Sequence, residues 1–238
     1  MGAATQNRFT RRTAVSLLSV TAVGGVFLPR RSWSAGVDAS LLMPDAGMCI
    51  ITPETTEGPF YFDPELVRSD ITDGRPGVPL TVRLQVVDAS CQPIAGAAVD
   101  IWHCDAQGLY SGYPGQGDGR DIDTSAEKFL RGVQRTSPEG IVSFRTIYPG
   151  WYRGRTTHVH FKVFIEERTL LTGQLFFPDA LSDHVFTTVA PYNRRDAGRD
   201  TTNQSDRIAR DAGPTSQAAL RETMSSLEAL MIIAVNPA

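Results

Sequence analysis

Leu80-Thr-Val-Arg-Leu-Gln-Val-Val87 alternates apolar and polar side chains with a period of two, and this stretch decides the fold class. Successive side chains of a strand point to opposite faces, so the pattern describes a strand with one face on a core. Turn residues follow from Asp88 to Pro93, and Ala97-Ala-Val-Asp-Ile-Trp102 resumes an extended segment. Downstream, Ile141-Val-Ser-Phe-Arg-Thr-Ile147 alternates again and runs into a Pro149-Gly150 turn. His158 to Ile165 and Leu170 to Phe177 complete a set of short strands. Gly108 to Asp123, rich in Gly and Asp, reads as a long loop, and so does the polar stretch 192–216. The tail from Leu220 to Val235 fits helix or strand equally by periodicity. Short strands separated by turns about every 8–12 residues predict an all-β fold. The expected architecture is a β-sandwich of mostly antiparallel short strands, with long loops carrying any site.

Length and composition agree with one such domain. The chain has 238 residues, 41% of them hydrophobic, enough for one sizeable core but hardly for two. Lys and Arg number 23 against 26 Asp and Glu, a net charge of −3, which leaves no electrostatic footprint for nucleic acid. Residues 1–35 hold five arginines and no acidic residue, so the remainder carries 18 basic against 26 acidic groups.

That basic leader reads as an address rather than as structure. Arg11-Arg12 precede a weakly apolar stretch, Ala14 to Leu28, and small residues follow at Ser34-Ala35. As a helix this stretch rises about 22 Å, short of a bilayer core of roughly 30 Å. Residues 1–35 are therefore expected to be a twin-arginine export signal, and 36–238 a domain with no membrane span. Three cysteines, Cys49, Cys91 and Cys104, show no metal-knuckle spacing. A Cys91–Cys104 disulfide across a short hairpin is the favoured pairing, with buried free thiols as the alternative.

His158-Val-His160 is the sharpest chemical feature. Residues two apart on a strand face the same way, about 6.6 Å apart at Cα, so two imidazoles can converge on one metal. Around it lie Tyr148-Pro-Gly-Trp-Tyr152, Arg155, Gln174 in Thr-Gly-Gln-Leu-Phe-Phe, and Trp102-His-Cys-Asp-Ala-Gln-Gly-Leu-Tyr110. With Thr52-Pro-Glu-Thr-Thr-Glu-Gly-Pro-Phe-Tyr61 and Pro93-Ile-Ala-Gly-Ala-Ala-Val-Asp-Ile-Trp102, these segments occur in one order. In that order, from about Thr52 to Pro178, the chain resembles the intradiol ring-cleavage dioxygenases, and its export signal and Trp-His-Cys variant look most like the secreted branch.

The resemblance implies a non-haem Fe(III) site with Tyr110, Tyr152, His158 and His160 as ligands. It implies cleavage of a catechol between its hydroxyls by dioxygen, giving a muconate-type product. Two phenolates are hard, anionic donors that favour a ferric over a ferrous ion. Arg155 matches the family arginine that stabilises negative charge on the ring, and Gln174 matches its pocket glutamine. Gly58, Pro59 and Phe60 match a wall beside the substrate. Tyr113 competes with Tyr110, and Tyr148 with Tyr152, for the ligand positions. His103 reads as a structural histidine and His184 as incidental.

Two other readings stand beside this one. Val86 to Val99 also resembles the strand-turn-strand of transthyretin-like modules that bind without a catalytic metal. A cupin site would place a glutamate four or five residues after His160, where Phe164 and Ile165 stand. Oligomeric state and the substituents on the ring are left open by the sequence. Removing residues 1–35 is expected to abolish export while the remaining chain folds, as fractionation of the producing cells would read. Loss of soluble protein on that truncation contradicts the assignment of the leader.

Overall fold

The structure, a computed structural model, describes residues 49–237 apart from 64, 196 and 224. The expected export signal thus lies outside the described residues. Two four-stranded sheets face each other. The first has the order β4 (Ile141–Ile147), β1 (Pro79–Val87), β8 (Leu227–Ala234), β7 (Ala219–Glu222). The second has the order β3 (Arg131–Arg135), β2 (Ala98–Trp102), β5 (His158–Ile165), β6 (Arg168–Phe176). All pairings are antiparallel except β1 with β8. The all-β sandwich expected from the strand pattern is what the chain forms.

Period-two alternation builds the core from both sheets. Leu80, Val82, Leu84 and Val86 of β1 meet Val99 and Ile101 of β2, Val159, Phe161 and Val163 of β5, and Leu171 and Leu175 of β6. Phe161 lies over Gly173, where a Cβ would come within 2.1 Å of the ring, so the glycine makes room for the phenylalanine. A buried ring of this kind is worth about 3–5 kcal/mol against Ala.

The ambiguous tail is strand. Leu227-Glu-Ala-Leu-Met-Ile-Ile-Ala forms a central strand between β1 and β7, which explains its nearly unbroken apolar run. Strand β3, Arg-Gly-Val-Gln-Arg, escaped the pattern because it is a polar edge strand. Two helices, α1 (Asp179–Thr188) and α2 (Arg207–Ala212), also went unseen. The second lies inside the stretch expected to be loop. No helix among the described residues is long and apolar enough to cross a membrane.

The cysteine pairing differs from expectation. Cys49 bonds Cys91 across 42 residues, with Cα atoms 5.2 Å apart, and Cys104 is a buried free thiol. Strands β1 and β2 belong to different sheets, so no hairpin joins Cys91 to Cys104. Cys91 sits in the turn after β1, whereas β2 carries the chain about 16 Å further before Cys104. The disulfide anchors an arm that runs on through Thr52, whose amide donates to the Ala234 carbonyl at 2.9 Å. Thr55 then donates to the Thr172 carbonyl at 2.9 Å, bringing the arm against the edge of β6. Cys91→Ser should cost about 2–4 kcal/mol in urea denaturation, the scale for opening a loop of this length. An unchanged midpoint would show that the arm is held without the bond.

Candidate metal centre

The alternation that sends Val159, Phe161 and Val163 inward sends His158 and His160 to the outer face of the same sheet. In register, His160 stands opposite Trp102 on one side and Gln174 on the other, and His158 stands opposite Phe176. These side chains form a floor, and loops complete the walls. Trp102 stacks on His160 at 4.8 Å between ring centroids, with the planes 9° apart, which fixes the imidazole plane.

Tyr110 arrives from the long loop after β2. Its amide donates to Gln116 Oε1 at 3.0 Å, and its carbonyl accepts from Thr124 Oγ1 at 2.6 Å. Tyr152 arrives from the tight turn before β5, where the Arg155 amide donates to the Tyr152 carbonyl at 3.3 Å. The Tyr110 hydroxyl lies 3.3 Å from His158 Nε2, and the Tyr152 hydroxyl 3.1 Å from it. The two hydroxyls are 3.4 Å apart, and the two Nε2 atoms 3.1 Å apart. One imidazole nitrogen has a single lone pair or a single hydrogen, so hydrogen bonding alone does not account for this many partners. Donors about 2.0–2.3 Å from one first-row ion stand about 3 Å from each other, the spacing seen.

Protonation states favour the same use. His158 Nδ1 donates to the Thr156 carbonyl at 2.6 Å, which leaves the Nε2 lone pair facing the other donors. Burial, reinforced by the Arg155 charge, lowers the His158 pKa to about 3. Burial and the neighbouring His158 hold His160 well below the ordinary histidine value. Both imidazoles are therefore neutral and available as ligands. Burial pushes Tyr152 up to about 12 and, with the adjacent Tyr152, pushes Tyr110 well above the ordinary phenol value. Neither phenol ionises unaided at neutral pH, so a highly charged cation is the natural counterpart that would ionise both. Among the described residues, no group of three or more His, Cys, Asp or Glu side chains is placed to hold a metal. The donor set is two phenols and two imidazoles, which fits a hard trivalent ion.

Arg155 lies beside this cluster, with Nη1 3.5 Å from His158 Nε2. Its Nη2 donates to Gln174 Oε1 at 2.5 Å, and Gln174 Nε2 donates to the Thr56 carbonyl at 2.9 Å. Gln174 thereby ties the arginine to the arm. That arm carries Gly58, Pro59 and Phe60 over the site. Phe60 stacks on Tyr110 at 4.6 Å, and a Cβ on Gly58, whose φ is +73°, would stand 3.4 Å from the His160 ring. Pro59 is solvent-exposed at the rim.

The competing tyrosines lie elsewhere. Tyr148 is buried in the sandwich core and bonds Ser182 Oγ at 2.8 Å. The Tyr113 hydroxyl donates to the Tyr61 carbonyl at 2.6 Å. His103 is buried between the Cys104 carbonyl and Thr146 Oγ1, and His184 lies on α1 near Thr188. Sequence reasoning missed Asp206, which bonds Arg155 Nε at 2.8 Å. Asp206-Arg-Ile-Ala-Arg-Asp-Ala-Gly213 carries the signal: an N-capping Asp, a short apolar face and a terminal Gly.

A β-sandwich that presents two strand histidines and two loop tyrosines at one point has the arrangement of a non-haem metal dioxygenase. The family model described as Dioxygenase matches residues 53–194. An intradiol ring-cleavage dioxygenase from Tetranychus urticae aligns at 34% identity and a TM-score of 0.71, covering 79% of this chain and 96% of that one. The dioxygenase domain of a carbohydrate-binding fusion protein from Streptomyces sp. SirexAA-E aligns at 28% identity and a TM-score of 0.58, covering 79% and 100%. Catechol 1,2-dioxygenase 1 of Acinetobacter lwoffii is 30% identical over 146 residues, 52% of this chain and 45% of that protein. The chain belongs to the intradiol ring-cleavage dioxygenase family. It spans about half the length of the catechol 1,2-dioxygenases it matches.

Proposed function

We propose that this protein is an exported intradiol dioxygenase that cleaves a catechol-type ring between its two hydroxyls, using a ferric ion held by Tyr110, Tyr152, His158 and His160. The convergence of two phenols and two neutral imidazoles at 3.1–3.4 Å carries the reading. A bound ferric ion would supply Lewis acidity and draw electron density from a chelated diol.

The chain's own residues do the rest. Tyr152, only partly buried and on a turn, would be a phenolate with the cation bound, and its oxygen is placed to take a proton from an incoming diol. Tyr110, wholly buried under Phe60, is placed to stay. Arg155 presents a fixed positive charge where negative charge grows on the ring, and Gln174 holds its orientation. Phe60 and Gly58 form an apolar wall and limit water beside the reacting carbons. Both oxygen atoms end in the product, a muconate-type diacid, with the ring itself as the reductant. A transthyretin-like binding module has no use for this donor set. Export through the leader at residues 1–35 rests on its twin arginines.

Oxygen uptake with a panel of catechols tests the activity, and two tyrosine variants test the assignment. Tyr110→Phe should weaken ferric binding and change the visible spectrum with and without catechol. Tyr152→Phe should retain iron and slow diol binding by about 10²–10⁴-fold, the range for a lost proton acceptor. Its spectrum should match wild type once catechol is bound. Wild-type behaviour from Tyr152→Phe would overturn its placement.

A further inference from the structure

Arg155 owes its orientation to a residue outside the segment that the family model matches. Asp206 lies twelve positions beyond residue 194, on the far side of α1, yet it reaches back to the turn before β5. Its carboxylate is 3% exposed and divides two tasks between two oxygens. Oδ2 accepts from Arg155 Nε at 2.8 Å and from the Thr156 amide at 3.0 Å. Oδ1 accepts from the Ile208 and Ala209 amides at 2.8 and 3.3 Å, capping α2. The small face of α2, Ala209 and Ala212, packs on Phe176, the residue opposite His158. Burial works against the carboxylate, but the Thr156 amide and the Arg155 charge outweigh it and hold its pKa below the usual value.

We propose that Asp206 is a positioning residue for catalysis, fixing the guanidinium of Arg155 so that one edge faces the donor cluster. A guanidinium is planar, and two of its three nitrogens are already engaged: Nε by Asp206 and Nη2 by Gln174. With those two fixed, the plane is fixed, and Nη1 is left toward His158 Nε2. Without Asp206 the arginine keeps one anchor and regains rotation about its long stem. The same carboxylate holds the Thr156 amide, and the Thr156 carbonyl holds His158 Nδ1 at 2.6 Å, so one acid sets both the cation and the histidine beside it. Its neighbours reinforce the bracket. Asp200 Oδ1 accepts from the Gly154 amide at 3.1 Å, and Asn203 Oδ1 accepts from Thr156 Oγ1 at 2.9 Å.

This proposal rests on the dioxygenase reading, and the test separates the two. Asp206→Asn keeps an N-capping side chain and removes the charge that clamps Arg155; Asp206→Ser keeps the cap and cannot reach the guanidinium. In the iron-loaded enzyme, each should lower kcat about 10–100-fold, the scale for a lost charge-assisted hydrogen bond, with a smaller change in KM. In an Arg155→Ala background the same substitutions should lower kcat by much less, leaving only the part that passes through Thr156 to His158. A residue that only caps α2 would lower activity equally in both backgrounds, and that outcome overturns the proposal. A second readout needs neither iron nor turnover. In the metal-free protein, phenylglyoxal should modify Arg155 about tenfold faster in Asp206→Ser than in wild type, as peptide mass mapping would show, with the other arginines unchanged. Equal rates at Arg155 overturn the clamp even if wild type cleaves catechols. A faster rate in a protein that cleaves none upholds the clamp and sinks the dioxygenase reading instead.

Discussion

Strand β5 has to serve two layers at once. Its odd residues, Val159, Phe161 and Val163, are fully buried in the sandwich, and its even residues His158 and His160 stand on the opposite face. A shift of one residue in register would put imidazoles into the apolar core and valines at the candidate metal centre. Everything that holds the register therefore holds the site. The pairing of Phe161 with Gly173 does so by shape, since no other residue at 173 leaves space for the ring. The sandwich core is in this sense the positioning device for the chemistry, and the site inherits its rigidity.

Tyr110, Tyr152, Arg155 and Phe60 come from loops, and each loop is tied down by a buried polar side chain. Gln116 and Thr124 hold the Tyr110 backbone. Asp206 and Asn203 hold the turn that carries Arg155 and leads into His158. Gln174 joins the arginine to the disulfide-anchored arm through the Thr56 carbonyl. The outer face of one sheet is thus enclosed by three segments far apart in sequence, each fastened with ordinary hydrogen bonds. This is how a long loop gains the precision of a strand.

Strands such as β1, β4 and β5 were legible in the sequence because apolar side chains alternate with polar ones or with histidines along them. The polar edge strand β3 and the short helix α2 were not, since neither shows a long period. The Cys91 pairing differs from the sequence expectation for a topological reason: consecutive strands β1 and β2 lie in different sheets, which no local pattern reveals. The His158 and His160 pair was visible as spacing alone. The identity of its tyrosine partners came through resemblance, because Tyr110 and Tyr152 reach the histidines across 48 and 6 residues by loop paths that periodicity does not encode. Asp206 shows the same limit from the other side. Its capping role was written in the sequence, but its grip on Arg155 depends on where α2 docks.

On the proposed function, two phenols and two imidazoles together hold a ferric ion. Titrating the metal-free protein with ferric iron and recording visible absorption tests it most directly. Saturation is expected at about one ion per chain with a red-brown phenolate-to-iron charge-transfer band, because of the donors assembled here only ionised tyrosine donates into Fe³⁺ in that range. A protein that stays colourless with ferric iron, or that binds a stoichiometric zinc ion in preference to it, would overturn the ferric assignment.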